Sequence, residues 1–174
     1  MDQPPVCSVR RSDREPALAT ILSALCVAIY VGGLILAAGW DVALRSIPNI
    51  LVGVIAIAAI GMVLMATPGA LPSHAMVALA VLGGGVVLFA LRLWGAGDAK
   101  MLAAAAVVLG GKGLPLLILG TAVAGGILAV LCIAARYLPW RRRAAEGIPY
   151  GVAIACGAIV ALAGTESLHS LSGL

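Results

Sequence analysis

The stretch ALATILSALCVAIYVGGLILAA, residues 17–38, decides the fold class of this chain. It carries no charged residue, and about 20 apolar residues in an α-helix span the roughly 30 Å hydrocarbon core of a bilayer. The run is longer than the roughly 7 to 15 apolar residues of a signal-peptide core, so we interpret it as a retained membrane span. Residues 1–16, which hold three prolines and three arginines, predict a loose N-terminal tail.

Further apolar segments follow at 48–66, 75–93, 114–135 and 149–164, and a shorter one at 99–109. The chain of 174 residues is 63% hydrophobic and only 10% charged, with a mean hydropathy of +1.15, so water is not its main solvent. We predict an all-α polytopic membrane protein, a bundle of about six transmembrane helices with a short fourth helix. Residues 17–174 would form a single transmembrane domain. The fourth helix, about 17 Å long, would cross only if the following glycines extend it or the bilayer thins.

Basic residues indicate the orientation. If all six segments cross, the connections at 40–47, 92–100 and 136–148 share one side of the membrane, which the positive-inside rule makes cytoplasmic. Basic residues on that side are Arg45, Arg92, Lys100, Arg136, Arg141, Arg142 and Arg143; those on the other are Arg10, Arg11, Arg14 and Lys112. The tail's arginines favour the opposite orientation, and the cluster at 141–143 would change sides if the short fourth segment did not cross.

Only two acidic residues lie at the predicted membrane boundary. The other five fall in the tail, in a polar loop or near the C-terminus; they are Asp2, Asp13, Glu15, Glu146 and Glu166. Asp41 ends the first span, and Asp98 directly precedes the fourth. In the six-span arrangement both therefore lie on the same side.

Two carboxylates close together near hydrocarbon share a proton rather than both carrying charge. Such a pair can hydrolyse an amide, because the ionised member takes a proton from water while the protonated member donates to the carbonyl oxygen. Gly95 and Gly97, beside Asp98, lack side chains and would allow an extended backbone to pass close to the carboxylate.

Simpler interpretations of these residues stay open. Asp98 is also well placed to be the N-cap of a helix that begins at Ala99, and Asp41 to be an ordinary interfacial acid. Lys100 could be an interfacial lysine whose aliphatic stem lies along apolar surface while its charge reaches water. Arg45 could be a charge that only sets the membrane topology.

Other chemistries fit the sequence less well. The four cysteines form no CxxC pair, so neither a zinc site nor a dithiol redox site is predicted. His74 and His169 are the only histidines, and we expect them in exposed loops on the side opposite both aspartates. A Ser-His-Asp or Cys-His arrangement is therefore disfavoured, and the scattered charge of +4 predicts no nucleic-acid surface.

Three stretches resemble the bacterial type IV prepilin peptidases, in the small form that serves Flp, or tight-adherence, pili. Asp41 followed by RSIPN at 45–49 is similar to the family's Asp, basic residue and Ile-Pro-Asn. GAGDAK at 95–100 fits the family's GxGDxK signature, and IPYGVAIA at 148–155 resembles the start of its last helix.

The resemblance implies an aspartic endopeptidase in the bacterial cytoplasmic (inner) membrane that removes the short basic leader of prepilins at the cytoplasmic face. Asp41 and Asp98 match the catalytic positions. The supporting positions that match are Gly95, Gly97, Lys100, Arg45, Pro48, Asn49, Pro149 and Tyr150. The implied partners are a prepilin or pseudopilin substrate and membrane lipid, with no nucleic acid and no predicted oligomeric state.

The large prepilin peptidases also carry a domain with paired CxxC motifs and methylate the new N-terminus. Because this sequence shows no such pairs, we expect cleavage without methylation and predict no cofactor, S-adenosylmethionine included, and no metal. Two alternatives stay open. A proton-coupled transporter would place its acids near mid-membrane. A non-catalytic assembly component of a secretion system would be favoured if activity survived the loss of either aspartate.

Overall fold

A computed structural model describes residues 14–136 and 149–172, with side chains described at 18–135 and 149–165. Within these residues the secondary structure is entirely helical, which confirms the all-α prediction. The elements are α1 (Arg14–Leu44), α2 (Asn49–Ala66), a short 3₁₀ turn (Pro68–Ala70), α3 (Leu71–Ala90), α4 (Ala96–Arg136) and α5 (Tyr150–Ser172).

Two helices differ from the predicted segments in ways that move functional residues. α1 starts three residues inside the predicted tail and continues past residue 38, so Asp41 lies in its last turn. α3 begins at Leu71 because Pro72 fits the first turn, where no helical acceptor exists for its missing amide proton. The prediction that His74 lies in an exposed loop was therefore wrong, since this residue is half-buried in α3. The side chain of His169 and residues 1–13 lie outside the described residues.

α4 is a hairpin. Its helical pattern is broken at Gly110, with φ 57° and ψ −162°, a region that essentially only glycine adopts. Tyr150 contacts both Trp94, at 6.4 Å between ring centroids, and Gly125, whose Cβ position would lie 3.7 Å from its ring. A straight helix between residues 94 and 125 would be more than about 40 Å long, so the chain must reverse at Gly110. We call 96–109 the first arm and 111–136 the second arm of α4.

The first arm lies at the centre of the bundle, with every side chain from Met101 to Val107 buried. A Cβ at Gly85 of α3 would lie 2.6 Å from the Cβ of Ala99, so these two helices are in very close contact. From α1, the Tyr30 hydroxyl donates a hydrogen bond to the Ala105 carbonyl at 3.1 Å. Small residues at helix contacts are typical of membrane bundles.

Four helices of the described chain are long and apolar enough to cross a membrane. They are Leu18–Leu44, Asn49–Ala66, Pro68–Ala90 and Ala96–Ala135, and Tyr150–Thr165 is a shorter apolar helix. Many large apolar side chains on their outer faces are exposed, as expected of surfaces that contact lipid. The protein is a polytopic membrane protein, and the count of about six crossings stays a prediction because α4 comprises two arms.

The connections of the bundle meet at two ends. At one end, Ile47 of the α1–α2 connection contacts Gly97, and Trp94 of the α3–α4 connection contacts the start of α5. At the other end, the ring of His74 lies beside Gly110, and its Nδ1–H donates to the Val107 carbonyl at 2.7 Å. The first end thus gathers the connections predicted to be cytoplasmic, apart from residues 137–148, which lie outside the described chain.

Candidate active site

Asp41 is held at both its backbone and its side chain. Arg45, with φ 53°, donates its N–H to the Asp41 carbonyl at 2.9 Å and ends α1 in a left-handed cap. Oδ2 of the carboxylate accepts the N–H of Gly151 at 2.8 Å. The Asp41 side chain is only 7% exposed, so this bond supplies a donor that bulk water does not.

Gly151 lies in the first turn of α5, where backbone amides have no helical acceptor. A Cβ at this position would lie 2.9 Å from the Asp41 Cβ and 3.0 Å from Oδ2. Gly151 belongs to the motif at 148–155, but only Pro149 and Tyr150 of that motif were predicted as supporting positions. The available signal was a glycine just after the proline that precedes a helix, since such a residue offers both a free amide and space.

Asp98 lies at the third position of α4, because the helix begins at Ala96 rather than at Ala99. The interpretation of Asp98 as the N-cap was therefore wrong in its position. The Ala99 N–H donates to the Gly95 carbonyl at 3.2 Å, and the backbone of Gly95 hydrogen-bonds the Asp98 carboxylate. The first of these is the ordinary i→i−4 bond that opens the helix. The second is one half of a capping box, in which the third helical residue caps its own helix; Gly95 has no side chain to form the other half. Its side chain is half-buried.

The two carboxylates lie at the same end of the bundle. Gly151, which binds Asp41, follows Tyr150, whose ring packs against Trp94. Trp94 in turn precedes Gly95, whose Cβ position would lie 2.8 Å from Oδ2 of Asp98, so the two carboxylate segments are neighbours. Each of them takes a hydrogen bond from a different backbone segment, Asp41 from the start of α5 and Asp98 from the residue before α4. Three separate parts of the chain thus meet around the pair.

The residues after Asp41 and those around Asp98 are joined by direct contacts. Lys100 Nζ donates to Asn49 Oδ1 at 3.1 Å, so this lysine has a specific partner. A Cβ at Gly97 would lie 3.3 Å from the Cβ of Ile47, so the space beside Gly97 is filled by the protein itself. Pro48, at φ −62° and ψ 133°, is the extended residue that precedes α2. The structure therefore brings the two predicted motifs together.

Comparison with protein families matches residues 18–130 to the type IV leader peptidase family. The match covers well over half of the chain. The chain belongs to this family. No curated protein and no solved structure matches it.

Membership in the leader peptidase family supports a peptidase activity and implies prepilin substrates. It agrees with the long apolar helices, since the family is embedded in the membrane. The matched range contains Asp41, Asp98 and the residues that join them, but it ends before α5. The contribution of Gly151 is thus seen in the structure alone.

In this leader peptidase, an apolar cavity of about 310 Å³ lies beside the two carboxylate segments. Its aromatic end is formed by Trp94, which precedes Gly95, and Tyr150, which precedes Gly151. The two rings pack edge to face at an interplanar angle of 74°. The remaining wall comes from Leu102 and the second arm of α4.

Proposed function

We propose that this leader peptidase is an aspartic endopeptidase that removes the short basic leader of Flp-type prepilins at the cytoplasmic face of the inner membrane. One observation carries the proposal: Asp41 and Asp98 come from different helices yet lie at one end of the bundle, where the residues of their two motifs contact each other directly. The Flp type of substrate is taken from the resemblance of the three motifs, and the cytoplasmic face from the distribution of basic residues.

The pair supplies both proton transfers that amide hydrolysis requires. The ionised carboxylate takes a proton from water as the water oxygen bonds to the substrate's carbonyl carbon, and the protonated carboxylate donates to the carbonyl oxygen. When the tetrahedral intermediate collapses, the C–N bond breaks, the departing nitrogen takes the proton of the newly protonated carboxylate, and the other carboxylate takes back the hydroxyl proton as the carbonyl re-forms. The two carboxylates thereby exchange roles, and their titration belongs to the pair.

The positions of both acids also argue against a proton-coupled transporter. Asp41 lies in the last turn of α1 and Asp98 in the first turn of α4, so both are at helix ends. A relay across the membrane requires ionisable groups near its midplane.

Co-expression with a candidate prepilin tests the proposal by the size of the prepilin on a gel. We expect Asp41→Asn and Asp98→Asn each to lower cleavage by about 10³-fold or more, because each removes a group that exchanges protons in the transition state. Asp13→Asn, in the predicted tail, is the matched control and should cleave normally. Processing that persists in either active-site variant would rule out the paired mechanism and favour the non-catalytic alternative.

A further inference from the structure

The start of α5 contacts the side chain of Asp41 through both a hydrogen bond and close packing. The Gly151 N–H lies 2.8 Å from Oδ2, and the position of a Cβ on Gly151 falls within 3.2 Å of three atoms of the Asp41 side chain. Any residue other than glycine would therefore push the carboxylate away from the amide that binds it.

Two backbone amides from different parts of the chain bind Asp41. The Arg45 N–H holds its carbonyl at the end of α1, and the Gly151 N–H holds its carboxylate from α5. The Gly151 amide belongs to the first turn of α5, where it has no helical acceptor and is free to bind the carboxylate. With the side chain almost fully buried, this contact determines where the oxygens lie.

A second glycine of α5 shows what a purely structural close contact looks like. A Cβ at Gly157 would lie 2.5 Å from the backbone nitrogen of Thr121, in the second arm of α4. This contact lets two helices approach each other but involves neither carboxylate. Gly151 and Gly157 therefore have the same steric constraint against different neighbours.

We propose that Gly151 is a positioning residue of the peptidase: its amide and its lack of a side chain together hold the Asp41 carboxylate in the orientation that catalysis needs. The inference rests on the proposed function and adds α5 to the reaction centre. Gly151 itself touches no reacting atom and acts only through Asp41.

The test compares Gly151→Ala with Gly157→Ala in purified full-length protein, measuring kcat and KM for prepilin cleavage per folded molecule together with Tm. Displacing a reacting group by about 1 Å can cost about 100-fold in rate. We expect Gly151→Ala to lower kcat by about 30- to 100-fold with KM changed by less than about twofold. Gly157→Ala should lower Tm at least as much, yet keep kcat within about threefold.

A normal kcat in Gly151→Ala, or an equal fall of kcat in both variants, would overturn the inference. Should Gly151→Ala fail to fold, the inference is tested by comparing the Tm values of Asp41→Asn and Asp41→Ala. Only asparagine keeps a side-chain oxygen that can accept the Gly151 N–H. We expect a lower Tm for Asp41→Ala, and equal values would overturn the inference. If the unmodified chain cleaves no prepilin, the proposed function fails, while this Tm comparison still reports on the contact.

Discussion

Two arginine residues adopt left-handed backbone conformations that favour glycine. Arg45 and Arg92 have φ values of 53° and 59° and end α1 and α3 at the same end of the bundle. After α3, Leu93 N–H donates to the Leu88 carbonyl and Arg92 N–H to the Phe89 carbonyl, each at 2.9 Å. This is the Schellman pattern, whose left-handed residue is usually glycine. The two residues keep positive charge at the end of the bundle predicted to be cytoplasmic, despite the backbone strain.

Replacement of Arg92 by glycine should stabilise the protein. A side chain in the left-handed region costs roughly 1–2 kcal/mol, of which the greater freedom of glycine in the unfolded chain offsets part. We expect Arg92→Gly to raise the free energy of unfolding in detergent by up to about 1 kcal/mol. Arg92→Ala is the control, because it removes the same charge but keeps a side chain in the strained backbone conformation. Equal stabilisation by alanine would mean that loss of the charge, and not relief of backbone strain, causes the gain in stability.

The two aspartates and their motifs could be predicted from the sequence. The third segment of the site, the start of α5, could be predicted only in part. Asp41 and Asp98 stood out because few acids remain in an apolar chain, and Asn49 and Lys100 because they belong to the two motifs. Gly151 forms its essential contact with a residue 110 positions away. Local pattern does not encode which carboxylate an exposed helix amide will meet, so that contact required the fold.

Gly110 decides the shape of the longest element. The apolar pattern predicted separate segments at 99–109 and 114–135 with glycines between them, which corresponds to the two arms of α4. The geometry of the reversal depends on a tertiary contact, because a Cβ at Gly110 would lie 2.7 Å from the ring of His74. The loop position expected for His74 had obscured this contact, since α3 starts four residues earlier than the predicted segment.

Alanine at position 110 should destabilise the protein strongly. It would place a side chain in a backbone region essentially reserved for glycine and against an imidazole ring, and we expect a loss of more than about 2 kcal/mol in the free energy of unfolding. Gly111→Ala is the matched control, because the nearest atom to its Cβ position is 3.8 Å away. Chemical denaturation of both variants in detergent measures the difference, and equal losses would contradict the assigned role of the hairpin.

At the scale of the whole molecule, the bundle places both aspartates and the start of α5 at one end, with the hairpin at Gly110 at the other. This arrangement follows from alternating antiparallel segments, which the apolar runs and their connections already predicted. Side-chain packing around the first arm was not predictable in the same way, because alanine-rich sequence does not specify which neighbour each face contacts.

Reporter fusions test the membrane orientation directly. Fusions at residues 96 and 145 should both report a cytoplasmic location, and one at residue 69, in the turn between α2 and α3, should report the opposite side. The reason is that two arms of α4 separate residue 96 from residue 145 and together return the chain to its starting side. Opposite results at 96 and 145 would mean that the first arm does not cross the bilayer.

The contact between Gly151 and Asp41 also bears on how complete enzymes of this kind are recognised. A truncated copy that stopped after residue 136 would retain both aspartates and every residue that joins their motifs. It would nevertheless lack the amide that binds the Asp41 carboxylate, and Trp94 would lose its aromatic neighbour. A genome survey that scores only the two aspartate motifs would count such a remnant as intact, so a later helix with a glycine in its first turn belongs among the search criteria.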